Sequence, residues 1–322
     1  MNMIRADLKV RENATPRFHR PRQIPFALKE PVEQELKRLE ASGILKRVTH
    51  SEWAAPIVSV PKKDGRVRVC GDYKVTVNPS LDIDQYPLPK AEDLFATLAN
   101  GKAFTKLDLS QAYQQMLLTE QSAKFTTINT HLGLFEYTRL PFGIASAPAI
   151  FQRAMDEILS GIPGVICYID DILITGSRDA EHFERLEEVL KRLQQHGLRL
   201  KKGKCRFRQT SVEYLGHLID AAGIRPLPSK LEAIVNAPAP VNVQQLRAFL
   251  GLLNYYSKFV ANLSTVLNPL NRLLGHNVKW KWTAECDRAF TLAKEKLVSS
   301  TVLAHYDTTL PISTETPSPH EH

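Results

Sequence analysis

The stretch Val165-Ile166-Cys167-Tyr168-Ile169-Asp170-Asp171-Ile172-Leu173-Ile174-Thr175 decides how this chain folds. Two β-rich, almost wholly apolar runs flank an adjacent pair of carboxylates, which predicts a hairpin of buried strands with the acids at its turn. Aspartate is common in turns for its own hydrogen-bonding reasons. Two anions side by side at the edge of buried strands, however, repel each other unless a cation neutralises them. A divalent metal is the simplest such cation. Asp108 has the same setting, at the end of the strand-like AFTKLDL (103–109) and just before a helical SQAYQQ. Carboxylates converging from separate strand ends make a hard-oxygen site suited to Mg²⁺. Spacing alone leaves open whether Asp108 and Asp170 meet.

Working outward, residues 1–30 read as a polar, extended lead-in, and Pro31 opens a predicted helix, VEQELKRLEAS, that Gly43 stops. Trp53 to Val60 and Val67 to Tyr73 pattern as strands around the turn Lys62-Lys63-Asp64-Gly65. Leu88 to Ala99 patterns as a helix, KFTTINT and LFEYTRL as strands, and Ala149 to Leu159 and Glu181 to Gln195 as helices. After the strand VEYLGHLID, a Ser229/Glu232 capping box predicts another helix. The amphipathic run 243–260 follows, with Leu246, Phe249, Leu250, Leu253 and Phe259 on one stripe. Strands alternating with helices to residue 220, then helices only, predict an α+β body followed by a helical domain.

The chain is 322 residues, 43% hydrophobic and 24% charged, which excludes disordered, collagen-like and coiled-coil classes. Its formal net charge is +8, a surplus that suits polyanions. Eight basic residues and no acid fall between Lys191 and Thr210, so that stretch carries the whole excess. Its plain reading is a solvated basic loop. Cys70, Cys167, Cys205 and Cys286 lie far apart, without zinc-ligand spacing, and read as buried thiols of an intracellular protein. No secretory signal or membrane span is expected. Gly203-Lys204 fails as a phosphate loop because Cys205 replaces Ser or Thr, and no aspartic-protease, integrase-zinc or nucleophile-elbow motif is present.

Asp108-Leu109-Ser110-Gln111-Ala112-Tyr113, the run Leu140 to Pro148 (LPFGIASAP), Tyr168-Ile169-Asp170-Asp171 and Tyr214-Leu215-Gly216-His217 resemble successive motifs of reverse transcriptases. FLGLLNYYSKF (249–259) resembles the start of the helical thumb of gypsy-type LTR retrotransposon enzymes. Any one motif is weak, but five in order are specific, and the similarity runs from residue 15 to about residue 310. The resemblance implies an α+β right-hand polymerase: fingers with the start of the palm over 31–107, palm over 108–222, helical thumb over 223–275 and a truncated connection over 276–322.

The resemblance also implies roles residue by residue. Asp108 and Asp170, with Asp171 beside them, would hold two Mg²⁺ ions, with Mn²⁺ as a substitute. Lys62, Lys63 and Arg68 would grip the triphosphate of an incoming deoxynucleotide. Tyr113 would crowd the sugar 2′ position, and Leu109, Ala112, Phe142 and Gly143 would line the nucleotide site. Retroviral enzymes carry glutamine where Phe142 stands, so the phenylalanine agrees better with the retrotransposon branch. Tyr214, Leu215 and Gly216 would hold the primer end, while Lys201, Lys202, Lys204, Asn254 and Lys258 would contact the primer–template backbone. The implied partners are an RNA or DNA template with its primer and deoxynucleoside triphosphates, not membranes. The expected setting is intracellular and cytoplasmic, with a particle-associated or nuclear one left open, as is oligomeric state.

In the resembling elements Leu310-Pro311-Ile312 would lead into an RNase H domain. Here STETPSPHEH (313–322) follows, so no RNase H activity is expected, nor protease or integrase activity. Two readings follow: an active RNA-directed DNA polymerase, or a catalytically idle retroelement remnant that only binds nucleic acid. An RNA-dependent RNA polymerase is disfavoured by the bulky Tyr113.

Overall fold

The computed structural model describes residues 1, 4–62, 65–83, 86–98, 100–260, 262–275 and 278–299. Lys63 and the tail 313–322 lie outside the described residues. The chain divides into two compact units, one of residues 1–90, 106–174 and 183–207, the other of 91–105, 175–182 and 208–322.

The first unit carries a five-stranded sheet in the order Leu45–Val48, Gly133–Tyr137, Ile128–Thr130, Ala55–Pro61, Val67–Gly71. Ala55–Pro61 and Val67–Gly71 form the expected hairpin, with Val60 opposite Arg68 and Pro61 opposite Val67. Alternation buries Val67, Val69 and Gly71 and leaves Arg68 on the solvent face. The predicted lead-in is extended but tied down. Arg5–Ala6 pairs in parallel with Leu117–Leu118, and Phe18 bridges to Ala54.

A four-stranded sheet runs in the order Arg206–Gln209, Ala103–Asp108, Asp171–Gly176, Val165–Tyr168. Leu107, Ile172 and Ile174 from its strands share one fully buried cluster with Phe151 and Met155 of the helix Ala147–Leu159 and Val189 of the helix Asp179–Gln195. That cluster anchors the strand ends that carry the carboxylates. The second unit holds a three-stranded antiparallel sheet, Ser211–Tyr214, His217–Asp220 and Gly223–Pro226, followed by helices. Its helical core includes Leu246, Leu253, Leu270, Ala293 and Leu297. The Phe249 ring of the helix Val243–Tyr255 lies 4.6 Å from that of Phe290 in Ala284–Val298.

Several elements depart from their sequence reading. The first helix begins at Phe26, so Pro31 sits inside it and costs one backbone hydrogen bond. Lys124 and Phe125 belong to a short helix, Glu120–Phe125, because the Thr119 hydroxyl caps it by accepting from the Ser122 N–H. The helix expected over 88–99 is confined to Ala91–Ala96. Pro228 takes the first helical position of Pro228–Val235, so Ser229 lies inside the helix and no capping box forms. VEYLGHLID is a hairpin rather than one strand, turning at Leu215-Gly216 with Tyr214 opposite His217. No helix among the described residues is long and apolar enough to cross a membrane.

Candidate active site

Tyr168 and Asp171 face each other across the antiparallel pair, which leaves Ile169-Asp170 as a two-residue turn. Ile169 has φ +56°, a left-handed conformation that a β-branched residue adopts only when its surroundings over-determine it. Fully buried Gln152 supplies that constraint from the helix Ala147–Leu159. Its amide oxygen accepts from the Ile169 N–H at 2.7 Å, and its amide nitrogen donates to the Cys167 carbonyl at 2.9 Å. The same nitrogen donates to Asp156 at 2.8 Å, and Asp156 accepts from the Tyr86 hydroxyl at 2.6 Å. The Leu109 N–H donates to the Asp170 carbonyl at 3.1 Å, so the end of the Ala103–Asp108 strand is fastened to the acidic turn.

This fastening brings Asp108 and Asp170 to one cleft of about 640 Å³ within the first unit. Asp108 is 8% exposed, and Lys204 Nζ stands 3.0 Å from its Oδ2. The Asp170 carboxyl is held above its ordinary range, first by burial and then by the negative charges of Asp171 and Asp108. Asp171 is placed differently: its Oδ2 lies 3.1 Å from Lys106 Nζ, and it does not line the cleft.

The cleft donors from Asp108 and Asp170 are all hard oxygens, and Lys204 already brings one positive charge to them. Such a pair fits a hard divalent cation. Among the described residues no three His, Cys, Asp or Glu side chains are gathered tightly enough to hold an ion alone. That suits Mg²⁺, which is usually held by one or two carboxylates with substrate phosphates.

Lys62, Arg68, Leu109, Ala112, Tyr113, Phe142, Lys201 and Lys204 line the same cleft. The Tyr113 ring lies 5.5 Å from both Phe142 and Phe151, and the Arg68 guanidinium caps Phe142 at 4.9 Å. Burial, then the charge of Asp170, pushes the Tyr113 phenol up to about 12, so it stays protonated at neutral pH. Gly143 has φ +96°, and a Cβ there would meet the Gly71 carbonyl at 3.0 Å, so glycine is required beside Phe142. Asn78 braces that turn, donating to the Gly143 carbonyl at 2.7 Å and accepting from the Ala145 N–H at 3.0 Å.

Residues 60–219 match the family described as reverse transcriptase (RNA-dependent DNA polymerase). They are a reverse transcriptase domain. An uncharacterized protein of Caenorhabditis elegans is 42% identical over 258 residues, 80% of this chain and 20% of that protein. The transposon Tf2-3 polyprotein of Schizosaccharomyces pombe is 36% identical over 292 residues, 90% of this chain and 22% of the polyprotein. This chain thus spans about a fifth of the length of these curated relatives. The foamy viral protease–reverse transcriptase solved with double-stranded DNA superposes with TM-score 0.88 at 28% identity, covering 95% of this chain and 54% of that one. The same viral protein solved with an RNA/DNA hybrid gives 0.83 at 27% identity, covering 94% and 41%. The α+β right-hand polymerase fold expected from the motifs is borne out.

Other residues expected at nucleic acid are placed less simply. In the second unit Tyr214 is 1% exposed, because strand alternation turns it to the core. The Tyr214 side chain is therefore turned away from any ligand at its hairpin. Lys258 is turned inward as well: its ammonium lies 3.4 Å from Glu92 and over the Phe95 and Phe259 rings at 4.9 and 5.5 Å. Asn254, Lys201 and Lys202 are exposed, and the strand Arg206–Gln209 is exposed along its length.

Sequence reasoning missed Gln152 and Asn78. Neither a glutamine on an amphipathic helix nor an asparagine before proline carries a motif of its own. The cue available for Gln152 was its neighbourhood, Phe151 before it and Ala154-Met155 after it, which puts it at the edge of the buried stripe.

Proposed function

We propose that the chain is an RNA-directed DNA polymerase of the LTR-retrotransposon type, adding deoxynucleotides to a primer 3′-hydroxyl. The observation that carries this is the fastening of Asp108 to Asp170 in a cleft walled by Tyr113 and edged by Lys62 and Arg68. On this reading 31–107 serve as fingers, 108–222 as palm and 223–275 as thumb.

Two divalent ions, Mg²⁺ or Mn²⁺, held at Asp108 and Asp170 with Asp171 beside them, would lower the pKa of the primer hydroxyl and neutralise charge on the departing pyrophosphate. The protein's own groups do the rest. Lys62 and Arg68 neutralise and orient the triphosphate from the hairpin beside the cleft. The Tyr113 ring, propped by Phe142 and Phe151, forms a rigid floor that excludes a 2′-hydroxyl. Gly143 lets the backbone approach the nucleotide closely. In the first unit the exposed cations Lys201 and Lys202 contact duplex backbone, and in the second the Leu215–Gly216 turn holds a primer end.

Primer extension on poly-rA/oligo-dT with Mg²⁺, run beside Asp170→Asn, tests the proposal. Wild type should extend the primer and the variant should lose about a thousandfold or more in rate. Equal, negligible incorporation by both, with duplex binding intact, would leave a nucleic-acid-binding remnant.

A further inference from the structure

The hairpin turn at Leu215-Gly216 is held by more donors than a surface turn needs. Leu215 has φ +44° and Gly216 φ +69°, the pattern of a two-residue turn that ordinarily carries Asn or Gly at its first position. Leucine there is strained and persists only where its surroundings fix it. The Tyr255 hydroxyl, at the end of the helix Val243–Tyr255, donates to the Leu215 carbonyl. The next residue, Tyr256, donates its hydroxyl to the Gly216 carbonyl at 2.8 Å. His217 Nδ1 lies 2.6 Å from the same Leu215 carbonyl, to which it must donate because a carbonyl only accepts. The turn also lies against the aromatic face: a Cβ on Gly216 would come within 3.3 Å of the Tyr255 ring.

Histidine in this tautomer presents a bare Nε2, and that atom is buried with no hydrogen-bond partner. The ring is 1% exposed and surrounded by Phe95, Tyr255, Tyr256 and Phe259 at 5.0 to 5.7 Å between centroids. An orphaned nitrogen in an aromatic cage costs free energy. The cost is tolerable where the other nitrogen's bond fixes something that matters.

We propose that Tyr255, Tyr256 and His217 are positioning residues for primer extension: they lock the Leu215–Gly216 turn to the end of the thumb helix, so that turn and helix end move as one body. The inference rests on the reading of that turn as the element that holds the primer terminus. Without the lock, the duplex would still bind through its backbone contacts, but its 3′ end would wander. The defect would appear in turnover rather than in duplex affinity.

The test is the double variant Tyr255→Phe/Tyr256→Phe, which keeps both rings and removes only the hydroxyls. Two readouts on the full chain separate the possibilities. Amide hydrogen exchange over 211–220 should speed up about tenfold, while that over 165–174 is unchanged. Single-nucleotide extension at saturating duplex and deoxynucleotide should fall about tenfold, with the duplex Kd altered less than about twofold. Unchanged exchange over 211–220 overturns the lock whatever the extension assay gives. Faster exchange with wild-type turnover overturns the positioning role. A wild-type chain that extends no primer sinks the polymerase reading instead, and the exchange data then still decide whether the lock exists.

Discussion

The Gln152 amide oxygen accepts the Ile169 N–H at 2.7 Å, and through this bond a buried helix residue that does not itself line the cleft governs the backbone of the acidic turn. Gln152→Ala would leave the half-buried Ile169 N–H without its acceptor and take a donor from the buried Cys167 carbonyl. We expect a loss of about 2–4 kcal/mol in stability, the sum of two or more stranded polar groups. Gln152→Glu keeps the acceptor toward Ile169 but abolishes both donations and sets a charge against Asp156. Its melting temperature should fall, and its extension rate should fall further than global stability explains. A Gln152→Ala chain with wild-type melting and turnover would remove Gln152 from this role.

Tyr113 is wedged between Phe142 and Phe151, so its ring cannot swing aside for a ribose hydroxyl. Tyr113→Ala should admit ribonucleotides, lowering the preference for deoxynucleotides by about 10–100-fold. Tyr113→Phe should keep most of it, because the ring, not the phenol, does the excluding. Competition between dTTP and UTP on one primer–template measures both. Unaltered sugar preference in Tyr113→Ala would take Tyr113 out of the gate.

How much of this was legible in the sequence varies with the kind of interaction that decides each element. The Val165–Thr175 hairpin was legible because its apolar flanks and acidic centre are local. The meeting of Asp108 with Asp170 was not, since it depends on the order of strands in a sheet, and only the motif resemblance suggested it. Tyr214 looked like a ligand contact from its motif, but side-chain alternation in a short strand buries it. Lys258 looked like a contact for the primer–template backbone, but Glu92 and two aromatic rings hold its ammonium within its own unit. Local capping decided two further errors, Thr119 starting a helix where strands were expected and Pro228 displacing the Ser229 cap. In each case a tertiary or capping partner outweighed the pattern.

The basic stretch 191–210 yields a prediction about salt. Each phosphate neutralised should contribute a slope of about −0.9 in log K against log salt. Lys201 and Lys202 are exposed. Lys202→Ala should therefore lower the slope by about one and weaken binding similarly for all sequences. Lys204 differs, because it is already committed to Asp108 at 3.0 Å, and in metal-free buffer its loss should change the slope less. Fluorescence anisotropy of a labelled duplex from 50 to 300 mM salt, roughly the range where screening is steep, reads this. A flat response in the wild-type chain would return the stretch to a solvated loop.

His217 should make the second unit acid-sensitive. Burial, then the neighbouring Lys258 ammonium, lowers its pKa from the ordinary 6.5 to about 4, against the opposing pull of the Leu215 carbonyl and Glu92. Between these values the unfolded chain binds a proton that the folded chain refuses. The group's stabilisation is therefore complete above pH 6.5, drains away as pH falls toward 4, and changes no further below that. Allowing for solvent screening, the loss is on the order of 2 kcal/mol. His217→Asn cannot titrate and retains a side-chain N–H for the Leu215 carbonyl, so its stability should lack this component. The difference in urea midpoint between wild type and His217→Asn should shrink steadily from pH 6.5 to 4. Lys258→Gln, by removing the nearby cation, should raise the folded-state His217 pKa, so the decline still begins near pH 6.5 but ends at a higher pH than in wild type, which narrows the window from its acid end. Parallel midpoints for wild type and His217→Asn across this range would show that the imidazole protonates as readily folded as unfolded, and that the aromatic cage does not exclude its charge.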